Sequence, residues 1–176
     1  AIQSGWAFSN AQIYGYSISP EQGLAVGVTS EQVRRALGAD GDGDAWTAEV
    51  RGYVRLGGSH SVLAARVGAG GATGDASVRR RFYLGGSAPS GPLVDFGSGA
   101  LSMLRGLEEK GMSGPRTGVL SVEYRRPVWE IERGWGTVPF YFRRMHAAAF
   151  VDAGQTWSGR FDVAGAFVSL GVEASV

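Results

Sequence analysis

The sequence predicts an all-β protein, an antiparallel transmembrane β-barrel. Three observations carry this: long segments that alternate with period two, an excess of glycine, and connections that are short on one side and long on the other. From Trp46 to Leu56 the even positions read Trp46, Ala48, Val50, Gly52, Val54, Leu56, and the odd positions read Thr47, Glu49, Arg51, Tyr53, Arg55. One face is apolar and the other polar, which a strand can do and a helix cannot. A tilted strand crossing a bilayer needs about 9–11 residues, whereas ordinary strands run about 5–6. The chain has 29 glycines among 176 residues. Glycine is a poor helix former, so this composition argues against an α-rich fold. With 44% hydrophobic residues the chain is not a charge-swollen disordered one.

The elements follow in order. Ser4 to Ile18 reads as a strand through Trp6, Phe8, Tyr14 and Tyr16, and Ser19–Gly23 as a short turn. Leu24, Val26 and Val28 alternate with Ala25, Gly27 and Thr29. Leu37 to Asp44 is an acidic connection, and Gly57-Gly58-Ser59 a tight hairpin turn after the Trp46–Leu56 strand. Leu63, Ala65, Val67 and Ala69 form the next outward row. A long irregular loop then covers about 71–115, far beyond the ~12–15 residues that compact domains tolerate without a reason. Leu120, Val122 and Tyr124 resume the alternation, as do Met145 to Asp152 and Ala164 to Ser175, with connections near Glu132–Gly136 and Gln155–Asp162. That is about seven long strands. Trp46, Trp129, Trp135 and Trp157 lie near strand ends, as interfacial girdles require. Gly27, Gly52, Gly68, Gly118, Gly165 and Gly171 fall inside strands and mark wall positions where a lumen loop or a neighbouring backbone comes close.

Other classes are excluded or left without support. The net charge is +1, which is no nucleic-acid footprint. With no cysteine and only His60 and His146, neither a disulfide framework nor a Cys- or multi-His metal site is available. No apolar run is long enough for a transmembrane helix. Asp40, Asp42 and Asp44 alternate with glycine but lack the terminal Glu of a calcium loop, so they read as solvated. His146, beside Arg143 and Arg144, reads as a polar lumen or interface residue rather than a base, and no G-x-S-x-G is present. Arg79-Arg80-Arg81 either binds glycolipid phosphates or lines a lumen. No catalytic residue and no cofactor is expected. Ala1 is not an initiator, so it is expected to follow a removed or omitted segment.

The long loop holds Arg81-Phe82-Tyr83-Leu84-Gly85-Gly86 and later Leu104-Arg105-Gly106-Leu107, and a following strand ends Phe150-Val151-Asp152-Ala153-Gly154. Here the chain resembles the C-terminal half of the BamA/TamA outer-membrane assembly barrels, the bacterial surface antigen superfamily. In that family R-F-Y-x-G-G opens an inward-folded loop, matched at Arg81, Phe82, Tyr83, Gly85 and Gly86. The loop tip is V-R-G-F or V-R-G-Y, which reads Leu104, Arg105, Gly106, Leu107 here, with a leucine where an aromatic is usual. The partner motif, F-x-D-x-G or W-x-D-x-G, matches at Phe150, Asp152 and Gly154. Ser121-Val122-Glu123-Tyr124-Arg125-Arg126-Pro127 is similar to the strand after that loop.

The resemblance implies a sixteen-stranded barrel, of which residues 1–176 are a partial domain, and a latch between Arg105 and Asp152 inside the lumen. The alternative for those two residues is separate solvation. It further implies protein assembly, insertion or translocation at the outer membrane of a Gram-negative bacterium. The partners would be lipid, unfolded outer-membrane clients, and chain segments or periplasmic domains beyond this sequence. An open sheet would leave two unpaired edges, which need more chain or another copy. The rival readings are a passive outer-membrane pore gated by the long loop and a soluble ligand-binding β-barrel.

Overall fold

The computed structural model describes residues 1–14, 17, 19–57, 60–86, 100–134 and 141–175, and their side chains except those of 100, 129–134, 141–144 and 175. The alternating segments become strands β1 (Ile2–Ser9), β2 (Gly23–Val33), β3 (Gly43–Leu56), β4 (Ser61–Gly74), β7 (Arg116–Gly134), β8 (Tyr141–Trp157) and β9 (Phe167–Ser175). They form one seven-stranded sheet in the order β1-β2-β3-β4-β7-β8-β9, antiparallel throughout. Two short strands, β5 (Phe82–Leu84) and β6 (Met112–Gly114), pair with each other inside the long loop. β3 and β4 have 14 residues each, β7 has 19 and β8 has 17, lengths that suit membrane crossing. β1 and β9 are the ends of the sheet and are not paired with each other.

The register aligns the faces across all seven strands. Phe8, Val26, Val50, Val67, Leu120, Ala153 and Val168 are successive cross-strand partners in one row. The row is apolar, yet Val50, Val67 and Leu120 are 41%, 54% and 47% exposed. The facing row on the other surface runs Ala7, Gly27, Glu49, Gly68, Val119, Gly154, Phe167. That side buries Thr47, Glu49, Thr117 and Asp152. The protein is thus apolar outside and polar within, the pattern of a wall whose outer solvent is hydrocarbon. Trp46 and Trp157 share an outward row through Gly71 and Arg116, so one girdle lies at the long-loop end. The Trp129 side chain and Trp135 lie outside the described residues.

Several expected boundaries change. β7 runs on to Gly134 and β8 to Trp157, so the connections expected near Glu132–Gly136 and Gln155–Asp162 start later. The first strand ends at Ser9, not Ile18. The Asn10 amide bonds the Leu24 carbonyl at 3.0 Å and its side chain accepts from the Leu24 amide at 2.7 Å, closing the ladder there. Beyond it a lone bridge joins Gln12 and Gln22, so the connection is much longer than a turn at Ser19–Gly23. The long loop begins after Gly74 rather than at 71, because Gly71–Gly74 continue β4 and pair with Trp46–Gly43. Small residues read as loop from the sequence, but they fit a strand whose partner supplies the bulk: a Cβ at Gly71 would lie 2.9 Å from the Trp46 ring. The last strand begins at Phe167, because Val163–Gly165 form a 3-10 turn capped by the Asp162 side chain.

Candidate functional site

The connection from β4 to β7 folds back against the inner face of the wall. The turn is held by backbone pairing. Gly86 bridges Leu104, the Gly85 amide donates to the Ser102 carbonyl, and the Gly86 amide donates to Leu107 (both 2.9 Å). Alternation in β5 sends Phe82 and Leu84 towards the wall and Tyr83 away. Phe82, Leu84, Leu101 and Leu104 then form an apolar core with Ala45, Ala72 and Val119 of the wall, flanked by Leu107, Met112 and Phe167. Leu84 and Leu104 are fully buried, and each contributes about 1.5–3 kcal/mol by leaving water. The only large apolar core among the described residues therefore lies between loop and wall.

The tip presents Arg105 to three strands. Its Nε and Nη2 donate to the two oxygens of Asp152 on β8 at 2.7 and 2.9 Å, a bidentate fork. Nη1 donates to Glu123 of β7 at 2.7 Å, and Nη2 also reaches Ser121 Oγ at 3.3 Å. The guanidinium carbon lies 3.6 Å from the Phe150 ring centroid, a cation–π contact. Ser169 of β9 donates its hydroxyl to the Arg105 carbonyl. Gly106 follows at φ 85°, where a Cβ would come within 3.0 Å of Ser169 Cβ, so the tip approaches β9 closely only with glycine there. Arg125 pairs with the other oxygen of Glu123, so two cations face two carboxylates. A partly buried cluster of this kind is sustained by such mutual pairing.

The structure brings Phe82, Gly85, Gly86, Leu104, Arg105, Gly106, Leu107, Phe150, Asp152 and Gly154 to one seam between loop and wall. Arg81 is exposed and Tyr83 is 43% exposed, so these two stand away from it. Leu107, in place of an aromatic, packs on the apolar core, and Arg105 stacks on Phe150 instead. Sequence reasoning did not assign Ser121, Glu123, Arg125, Ser169 or Leu101 to the site. The signal for the four polar ones was the polar face of β7 and of β9, and Leu101, in the loop's 3-10 turn, had none. What makes them neighbours is register: Ser121 opposes Asp152, Glu123 opposes Phe150, and Asp152 opposes Ser169.

Other charges hold the loop's base and the turns. Arg80 pairs with Glu31 at 2.6 Å and lies over Phe82, while Arg79 and Arg81 are exposed. Asp75 accepts from the Asp42 amide at 3.0 Å and from Arg35 at 2.7 Å. The amide and the Arg35 charge hold its carboxyl below the usual carboxylate range. Asp42 and Asp44 are likewise engaged, by the Arg35 amide and the Arg34 side chain. On the wall, Glu49 joins Arg51 and Arg66 at 2.8 and 2.6 Å.

At the opposite end, Glu21 accepts from Ser17 Oγ at 2.6 Å and lies 3.0 Å from His60 Nδ1. Burial opposes ionisation of Glu21, but the Ser17 and His60 hydrogen bonds and the His60 and Arg55 charges outweigh it and lower its pKa. The carboxylate here sits between serine and histidine. Nucleophilic catalysis needs the histidine between them, so the set is a staple joining two turns. His146 lines a small cleft beside it, with Arg125, Arg126 and Pro127.

Gly85 tests how tightly the loop is built. Its φ is 127°, and a Cβ would overlap the Glu108 carbonyl oxygen. Gly85→Ala is expected to cost the loop more than about 2 kcal/mol, since both the conformation and a backbone neighbour oppose it. Limited trypsin digestion after Lys110 reads this, and an unchanged cleavage rate would contradict the assigned turn.

A family model described as the Omp85 superfamily domain matches residues 7–175. No curated protein matches the chain.

Proposed function

The chain belongs to the Omp85 superfamily, outer-membrane β-barrel proteins of protein assembly and translocation, and from that premise we propose that it is barrel wall and lumen loop of an assembly or insertion protein in a Gram-negative outer membrane. The observation that carries this reading is the Arg105 contact, through which one loop tip grips β7, β8 and β9. The outward apolar rows support a lipid partner. Leu170 and Val172, 81% and 85% exposed, would be costly on a soluble ligand-binding barrel.

In this reading no residue performs covalent chemistry. The wall offers hydrogen-bonded strands, and an unfolded outer-membrane client adds its strand at a weakly paired seam by β-augmentation. The loop, latched at Arg105 and Asp152, braces the wall while the seam opens. Depleting the protein in its own cells is expected to lower the folded amounts of several other outer-membrane proteins. Unchanged amounts, together with ion conductance of the purified protein in bilayers, would instead establish the passive pore.

A further inference from the structure

The loop makes a second contact with the wall, apolar and centred on β4, a strand that Arg105 does not grip. Leu101 lies in the 3-10 turn Ala100–Ser102 and is 2% exposed. Its side chain fills a notch on β4 where two residues of the inner face have no side chain. A Cβ added at Gly70 would lie 3.2 Å from Leu101 Cδ1 and 2.9 Å from Phe82 Cε1. A Cβ at Gly68 would collide with Leu101 Cδ2 and come within 3.0 Å of Val119 Cγ2. Neither glycine has a positive φ, so the backbone there suits any residue. They are needed for space, and the space is occupied by Leu101.

We propose that Leu101 and the Gly68–Gly70 notch form a charge-independent anchor, a positioning pair that seats the loop on β4 separately from the Arg105 latch. The two anchors differ in kind. The latch depends on paired charges reaching β7 and β8, and the notch depends on shape alone. With the latch opened, the loop stays hinged on β4, so its tip can leave β7–β9 while its base keeps its place. This deepens the loop-based reading above and rests on it for the functional consequence only.

The test is hydrogen exchange at the Gly85 and Gly86 amides, which bond to the Ser102 and Leu107 carbonyls, in the purified full-length protein in detergent. Exchange reports the opening equilibrium of the loop. Leu101→Ala is expected to speed exchange about tenfold or more, as loss of a buried leucine would. Leu101→Met, of similar volume, should stay within about twofold of the native rate. Gly68→Ala should speed it too, and combined with Leu101→Ala it should add little, because both remove one contact. Combined with Arg105→Ala, the Leu101→Ala effect should multiply.

Heat-modifiable gel mobility verifies that each variant still forms its barrel. Leu101→Val, a milder change, replaces any variant that does not. Unchanged exchange in Leu101→Ala, or independent multiplication of Gly68→Ala and Leu101→Ala, overturns the anchor. Neither outcome involves client proteins, so failure of the anchor and failure of the assembly reading are seen in separate experiments.

Discussion

Replacing Arg105 by alanine is expected to free the loop tip and to destabilise its docking by about 3–5 kcal/mol, the cost of stranding paired buried charge. The guanidinium serves two carboxylates at once, with Asp152 at 2.7 and 2.9 Å and Glu123 at 2.7 Å. Without it, Asp152 keeps the Ser121 hydroxyl and Glu123 keeps Arg125, but no cation faces Asp152. Arg105→Lys should recover only part of the loss, since a lysine cannot reproduce the planar fork. Charge exchange between Arg105 and Asp152 should rescue poorly, because an aspartate at 105 would face Glu123. Trypsin cleavage after Lys110 and the thermal midpoint of the folded protein read the effect. A variant within about 0.5 kcal/mol of the native protein on both measures would show the contact to be incidental.

The second large effect is expected on the opposite face. Val67→Arg should destabilise the protein in lipid vesicles by about 2–4 kcal/mol if the residue sits near the bilayer midplane. Val67 lies at the middle of the unbroken apolar row from Phe8 to Val168. Its neighbour Arg66 carries the same charge on the inner face and is bonded there to Glu49 at 2.6 Å. Sequence neighbours therefore differ in what solvates them. On a water-facing surface the same substitution would usually change stability by no more than about 0.5 kcal/mol. Urea unfolding from vesicles distinguishes the two, and a near-neutral Val67→Arg would remove lipid from that face.

The strands were legible because period two is a local property. Trp46 to Leu56 shows its two faces without reference to any other segment, and β3 follows it. Local chemistry misled where small residues were concerned. Gly71–Gly74 resemble loop, but the bulk they lack is supplied across the ladder by Trp46. Tyr14 and the residues before it look like continued strand, but the Asn10 side chain closes the pairing first. Short motifs located Arg105 and Asp152 because few residue types serve a bidentate contact. Glu123 and Ser169 had no such mark. Each is one polar residue among many on an alternating face, and only the register brings it to Arg105.

By itself, then, the sequence determined the class of fold and the number of long strands, since these rest on periodicity and composition, whereas the meeting of the long loop with the wall was implied only by the motifs it shares with a known family. Tertiary structure alone decided which strand faces which and where the glycine excess does its work. Gly68, Gly70 and Gly154 pave the inner wall beneath Leu101, Phe82 and Leu104, whereas Gly52 belongs to the outward row and meets nothing closer than Leu24. The physical reason is distance along the chain. A strand's own alternation is settled between neighbouring residues, but the fit of a loop side chain into a wall is settled between residues tens of positions apart, after register has chosen the partners.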